Sequence, residues 1–281
     1  MSIKIVIDSS CDLQNKLSEK IKIEVAPLTI DFDGKSYVDD ANLDMGEFLA
    51  HMKRMLSFNT SCPSIHQFLS LYEGDEDVLV MTISSKLSAS HQSALTAKEM
   101  YFEKYGEHKK IHVFNSLTAS AGQVSVLLKM VEYCEANLPF EAIVENVEKD
   151  IHKIKTFFVL QSLGNLAKAG RVSPLIAKTT AVLNIRCLMT RAEDGTLELV
   201  QKIIGEKRCI KELATRIAVI ANEFKDLNLC ISHCEGIEKV EQLLKELSDM
   251  IDMSKFKRVL IQNTSGLASI YADFGGLVIG V

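Results

Sequence analysis

Four short segments of this 281-residue chain are rich in hydroxyls, most of them beside a carboxylate, an amide or a thiol: Asp8-Ser9-Ser10, Asn59-Thr60-Ser61-Cys62-Pro63-Ser64, Ser84-Ser85-Lys86-Leu87-Ser88 and Asn115-Ser116. Residues of these types before a helix are the preferred N-caps, and one cap needs one side-chain acceptor. Capping leaves a surplus, because Ser84, Ser85 and Ser88 together, or Thr60, Ser61 and Ser64 together, exceed what one helix start consumes. Several hydroxyls next to free backbone N–H groups at helix N-termini make a receptor for a small anion, either a carboxylate or a phosphate.

Other chemistries find less support. The first apolar run is not followed by Gly-x-Gly-x-x-Gly, and there is no phosphate loop of Walker type and no Gly-x-Ser-x-Gly elbow. An acyl hydrolase, for example a thioesterase with a Ser or Cys62 nucleophile, is the competing enzyme reading. It needs a base beside the nucleophile, and only His66 and His91 lie near these segments. Cys62 precedes a helix start that would favour a thiolate, although an inert small side chain is the plainer reading. Cys230, His233 and Cys234 are closely spaced but lack a second ligand pair for zinc. No catalytic residue, metal site or cofactor is assigned. Arg171, in Gly170-Arg171-Val172-Ser173-Pro174, and Lys202, near Lys207 and Arg208, taken alone read as solvated cations.

The elements that must position these residues follow from periodicity. Apolar runs at Ile3–Ile7, Ile21–Ile30 (broken by Pro27), Asp77–Ile83 and Lys110–Phe114 alternate with helical stretches near Met45–Met55, from Ser64, from Ser88 through Met100, and through Val124 and Val131. That alternation is the sequence form of βα units around a parallel sheet, whose ligands sit at the carboxyl ends of the strands. A further helix carries Ile143, Val147, Ile151 and Ile154 on one face. Beyond Thr156-Phe157-Phe158-Val159-Leu160 the pattern changes, since Cys187–Thr190 and Thr196–Ile204 flank Asp194-Gly195, a hairpin signal. Two helical stripes and two strands, Leu227–Ile231 and Arg258–Ile261, follow. The expectation is two α/β domains, residues 1–155 with a mainly parallel sheet and 156–281 mixed with an antiparallel hairpin. No flexible linker separates them, so close packing is expected.

Composition narrows the class. Hydrophobic residues make up 47% and charged residues 25%, as in a globular protein, and 32 Lys+Arg against 37 Asp+Glu give a net charge of −5. Without a dense basic block, nucleic-acid binding is not expected. The apolar run before Asp8 is too short for a secretory signal, and no window approaches the roughly 20 apolar residues of a membrane span. Seven scattered cysteines fit a reducing compartment better than a disulfide framework. A cytoplasmic protein is expected.

With those residues in view, the chain resembles the DegV family of bacterial fatty-acid-binding proteins, nearly end to end. The matching segments are Asp8-Ser9-Ser10-Cys11-Asp12, Thr60-Ser61-Cys62-Pro63-Ser64, Ser84-Ser85-Lys86-Leu87-Ser88, Ala169-Gly170-Arg171-Val172-Ser173, and Leu183-Asn184-Ile185-Arg186 followed by Asp194-Gly195. The resemblance implies two α/β domains with a long-chain fatty acid such as palmitate between them, its carboxyl held by Thr60, Ser61, Ser85 and Ser88. It also implies lipid transport or fatty acid metabolism, and a place as the non-catalytic acyl-carrying subunit of a fatty acid kinase, with a partner docking on a basic face including Arg171 and Lys202. Departures from the family pattern fall at Tyr271, where a carboxyl-binding His is usual, and at Asp273, Ile204, Ala89 and Asn115. The Tyr271 phenol can donate a hydrogen bond to the carboxyl but cannot supply a cation. Asp273 would repel a ligand carboxylate unless it faces away.

Overall fold

Strands covered on both faces read as continuous apolar runs, and β1 (Ile3–Asp8) and β6 (Asp77–Thr82) are such runs, buried along nearly their whole length. With β2 (Lys22–Ala26) and β7 (Ile111–Asn115) they form a four-stranded parallel sheet ordered β2-β1-β6-β7. The computed structural model describes residues 2–14, 16–175 and 184–281.

Pro27 separates β2 from β3 (Thr29–Phe32), which joins a different sheet, an antiparallel one with β4 (Lys35–Val38) and β5 (Phe58–Ser61) in the order β4-β3-β5. The segment Asn59–Ser64 thus begins as a strand, and only Cys62–Ser64 connects it to the next helix. Phe58 and Thr60 alternate inward with their neighbours Asn59 and Ser61 turned out to solvent, and Thr60 and Ser61 pair with Ile30 and Thr29. The helices of this half are α1 (Met45–Met52), α2 (Ile65–Tyr72), α3 (Ser90–Tyr105), α4 (Ala121–Glu135) and α5 (Phe140–Lys153).

The rest of the chain runs β8 (Thr156–Leu160), α6 (Gly164–Lys168), β9 (Ile185–Arg191), β10 (Leu197–Ile204), α7 (Glu206–Glu223), β11 (Leu227–His233), α8 (Ile237–Ser248), β12 (Phe256–Asn263), α9 (Gly266–Ala272) and β13 (Leu277–Gly280). Its six strands form a mixed sheet ordered β10-β9-β8-β13-β11-β12, in which β9 and β10 are the expected hairpin and β11 pairs in parallel with β12. Residues 176–183, including Leu183 of the hairpin motif, lie outside the described residues.

Helix α4 and the hairpin tip are among the contacts that join the halves. Helix α4 has buried residues all around its circumference, as a helix enclosed between layers must. One apolar cluster runs through it from Ile5, Ile7 and Leu79 of the parallel sheet to Cys230 and Val278 of the mixed one. Gly280 permits this close approach, since a Cβ there would lie 2.4 Å from the carbonyl oxygen of Ala121. At the hairpin tip Gly195 adopts φ +86°, and its carbonyl accepts a hydrogen bond of 2.8 Å from the buried Ser84 hydroxyl.

Candidate functional site

The two halves enclose a cavity of about 340 Å³, within the range of roughly 300–1,000 Å³ typical of small-molecule sites. Much of its wall is apolar, with Leu28 and Ile83 from the first half facing Phe158, Leu160, Leu197 and Val278 from the second. Its polar wall is built where strands and helices meet. Thr60 and Ser61 close β5, Ser88 and Ala89 lead into α3, Ala119 and Ser120 lead into α4, and Tyr271 comes from the last turn of α9. The starts of α3 and α4 bring two positive helix ends to the rim, which favours an anionic group there.

The hydroxyls are not equivalent, because each carries a single proton. Ser10 donates to Asp8 Oδ1 at 2.5 Å and lies 2.7 Å from Gln123 Oε1. Ser120 donates to the Asp12 carboxylate. These two protons point away from the cavity. Thr60 Oγ1 and Tyr271 Oη are 3.2 Å apart, so one proton bridges the pair and the other is left for a ligand. The Tyr271 ring is held edge-on to Phe58, 6.0 Å between centroids. Ser88 Oγ accepts from Ser90 N at 3.2 Å and sits 3.0 Å from Ser90 Oγ, while Ser61 is exposed at the cavity edge. The Thr60, Ser61 and Tyr271 end therefore suits a carboxylate, whereas Ser10 and Ser120 offer it only lone pairs.

Of the residues selected from sequence, Thr60, Ser61, Ser88, Tyr271 and Arg171 line the cavity, and Ser85 does not. Ser85 is exposed and accepts from Asn115 Nδ2 at 2.8 Å, with its own N–H on Asn115 Oδ1. The Arg171 guanidinium spans the gap between the halves, donating from Nε to the Leu87 carbonyl at 2.8 Å and from Nη1 to the Ala169 carbonyl. Lys202 is exposed on β10, five residues beyond the cavity-lining Leu197 and so about 17 Å along the strand. Asp273 is not among the lining residues, and its Oδ1 accepts from Phe274 N at 2.8 Å.

Cys62 Sγ lies 3.7 Å from Ser93 Oγ, His91 Nδ1 is 3.2 Å from Thr82 Oγ1, and His66 is exposed on α2. Among the described residues no hydroxyl or thiol of the cavity pairs with a histidine, and no group of three His, Cys, Asp or Glu is placed to hold a metal. Burial pushes the Cys230 thiol up to about 12 and the Cys234 thiol to about 11, which makes both poor ligands and nucleophiles.

The family model described as "Uncharacterised protein, DegV family" matches residues 2–269. The chain belongs to the DegV family. A DegV domain-containing protein of Streptococcus pyogenes is 34% identical over 285 residues, covering 100% of this chain and 99% of the relative. A DegV protein of Ruminococcus gnavus, whose crystal structure holds vaccenic acid, superposes with a TM-score of 0.92 at 33% identity over 100% of both chains. The Fak B3 protein of Streptococcus pneumoniae fatty acid kinase, loaded with linoleic acid, superposes with a TM-score of 0.91 at 33% identity over 100% of this chain and 99% of that one.

Several buried polar residues beside the cavity of this DegV protein carry no clear mark in the sequence. Ser120 carries φ +56°, a conformation costly for a residue with a Cβ, and is held there by its bond to Asp12 and its N–H on the Ser10 carbonyl at 3.0 Å. Nothing in Thr118–Ser120 marks that strain. The buried carboxylates Asp12 and Asp39 also went unassigned, although Asp12 stands inside a quoted motif. Two acids close to an apolar run, with no basic neighbour in sequence, were the available signal.

Proposed function

We propose that this DegV protein binds one long-chain fatty acid, such as palmitate, with its acyl chain among the cavity's leucines and Phe158 and its carboxylate at Thr60, Ser61, Ser88 and Tyr271. The observation that carries the reading is the Thr60–Tyr271 hydroxyl pair at the edge of an otherwise largely apolar cavity spanning both halves. The relatives crystallised with vaccenic and linoleic acid support it. Each buried methylene contributes about 0.8 kcal/mol, so some 15 of them yield on the order of 10 kcal/mol before the cost of ordering the ligand. A hydrogen bond to a charged group nets only about 1.5–3 kcal/mol. The tail thus supplies affinity and the hydroxyls fix which end goes where.

The same geometry suits presentation of the acid to a separate kinase subunit. There a carboxylate oxygen attacks the terminal phosphorus of ATP held by that partner, ADP leaves, and an acyl phosphate forms. This chain contributes position and no catalytic group, with Arg171 beside the cavity and Lys202 further along β10 as cationic docking points.

Native mass spectrometry of freshly purified protein, followed by extraction of bound lipid, tests the binding. The expected result is one fatty acid per chain. A protein that is empty and takes up neither palmitate nor oleate sinks the proposal. Turnover of acyl-coenzyme A or p-nitrophenyl esters is expected to be nil. Normal palmitate binding together with full-rate acyl phosphate formation by an Arg171→Ala protein would remove Arg171 from the docking face.

A further inference from the structure

The first turn of α9 is held by side chains from the far half of the chain. A helix start leaves four N–H groups without intrahelical partners. Here Ser265 N donates to Asp12 Oδ1 at 2.8 Å, Gly266 N to Asp39 Oδ1 at 2.8 Å and Leu267 N to Asp39 Oδ2 at 3.1 Å. The fourth, Ala268 N, reaches Ser265 Oγ within the helix at 3.4 Å. Three of the four thus depend on two carboxylates more than 220 residues away in sequence.

Both acids are braced from behind. Asp12 accepts from Ser120 Oγ, and Asp39 Oδ2 accepts from Ser9 Oγ at 2.9 Å, while Ser9 Oγ accepts from Leu28 N at 3.1 Å. Asp12 is 0% and Asp39 5% exposed, so neither carboxylate has water to replace these donors. The fit leaves no slack, since a Cβ on Gly266 would lie 2.7 Å from Asp39 Oδ1 and 2.8 Å from Leu43 Cδ2. Downstream of this grip the helix presents Leu267, Ala268, Tyr271 and Ala272 to the cavity, with Tyr271 Oη against Thr60.

We propose that Asp12 and Asp39 are positioning residues for the ligand cavity: they grip the first turn of α9, hold Tyr271 against Thr60, and must let go for a ligand to enter or leave. The consequence for the ligand rests on the fatty-acid reading; the grip itself rests only on the contacts. Leu267 carries one of the gripped amides and Ala268 follows it, so loosening this turn parts the α9 wall from the wall carrying Thr60. On the other side of the helix Asn165 Nδ2 donates to the Ile270 carbonyl at 2.8 Å, a contact within the second half that opening leaves intact.

The test measures amide hydrogen exchange of segment 265–272 in unliganded protein and the release rate of palmitate in loaded protein, for wild type, Asp39→Asn and Asp12→Asn. Asparagine keeps the shape but offers one acceptor oxygen in place of two. The expected result is at least tenfold faster exchange confined to 265–272, with α7 unchanged, and palmitate release faster by a similar factor. Exchange at wild-type rates, or exchange accelerated evenly throughout the protein, overturns the proposal. So does local loosening with unchanged release. Should Asp39→Asn not fold, Ser9→Ala removes a single donor to Asp39 and is expected to shift both readouts in the same direction more weakly. If wild type binds no palmitate, the fatty-acid reading fails, and the exchange result alone then decides whether the grip exists.

Discussion

At the scale of single residues, hydroxyls with similar sequence surroundings do different things, and what separates them is where each proton goes. Ser64 caps α2 in a capping box with Gln67, Ser84 ties down the hairpin tip, Ser85 pairs with Asn115, and Ser10 and Ser120 donate to buried acids. Of the surplus that signalled an anion receptor, a large part is engaged within the first half, and Ser84 of this set reaches across to the second. Thr60 and Tyr271 keep a proton for the ligand. Tyr271→Phe is therefore expected to weaken palmitate binding about 10- to 150-fold, the equivalent of about 1.5–3 kcal/mol, while leaving hexadecanol binding and thermal stability nearly unchanged, because the ring still packs on Phe58. Titration calorimetry with the two ligands checks this, and equal losses for acid and alcohol would place the phenol away from the carboxylate. Ser85→Ala is expected to leave the palmitate Kd within twofold of wild type in the same assay, since its hydroxyl is engaged outside the cavity.

At the scale of elements, most strands and helices were legible because their periodicities differ sharply, as in the buried run of β1 and the hairpin around Asp194-Gly195. Of the pieces that were not, three are instructive. Strand β5 was hidden because Phe58–Ser61 is short and half exposed and pairs with β3 rather than with the parallel sheet. The enclosure of α4 by two layers shows in sequence only as extra small and apolar residues. The docking of α9 on Asp12 and Asp39 is a contact of long sequence separation, and local pattern carries no trace of it. The hairpin tip can be tested directly. Gly195→Ala places a Cβ 2.3 Å from Ser84 Oγ and 3.1 Å from Leu117 Cα, at φ +86°. The left-handed conformation alone costs about 1–2 kcal/mol, and the crowding pushes Leu197 off the cavity wall. Urea unfolding is expected to show a loss of at least that size together with weaker palmitate binding; a loss below about 0.5 kcal/mol would mean that the tip is not held against Ser84.

At the scale of the whole molecule, the contact between the halves buries ionisable groups, and that fixes a sign for its pH dependence. Burial raises the Asp39 carboxyl from 3.8 to about 6, with the nearby Asp12 charge acting in the same direction and the Leu267, Ser9 and Gly266 donors opposing it. A folded-state value above the unfolded one means that the native protein holds a proton over a range where the unfolded chain has released it. Stability owed to this group therefore rises as pH falls from about 7 to about 4, by at most about 3 kcal/mol for a difference of roughly two units. Asp8 and Asp12 are raised in the same way, chiefly by burial. His91 and His233, both lowered chiefly by burial, pull the other way below about pH 6.5, because the unfolded chain takes up protons there first. The raw stability curve of wild type mixes these effects, so the informative quantity is the difference between wild type and Asp39→Asn, whose asparagine does not titrate. That difference is expected to widen in favour of wild type between pH 7.5 and pH 4.5, since only wild type gains from protonating position 39. Urea unfolding of both proteins across this range measures it. A difference that stays constant or narrows on acidification would mean that Asp39 remains charged throughout this range, and the carboxylate would then not carry the balance of burial and helix-end donors derived for it.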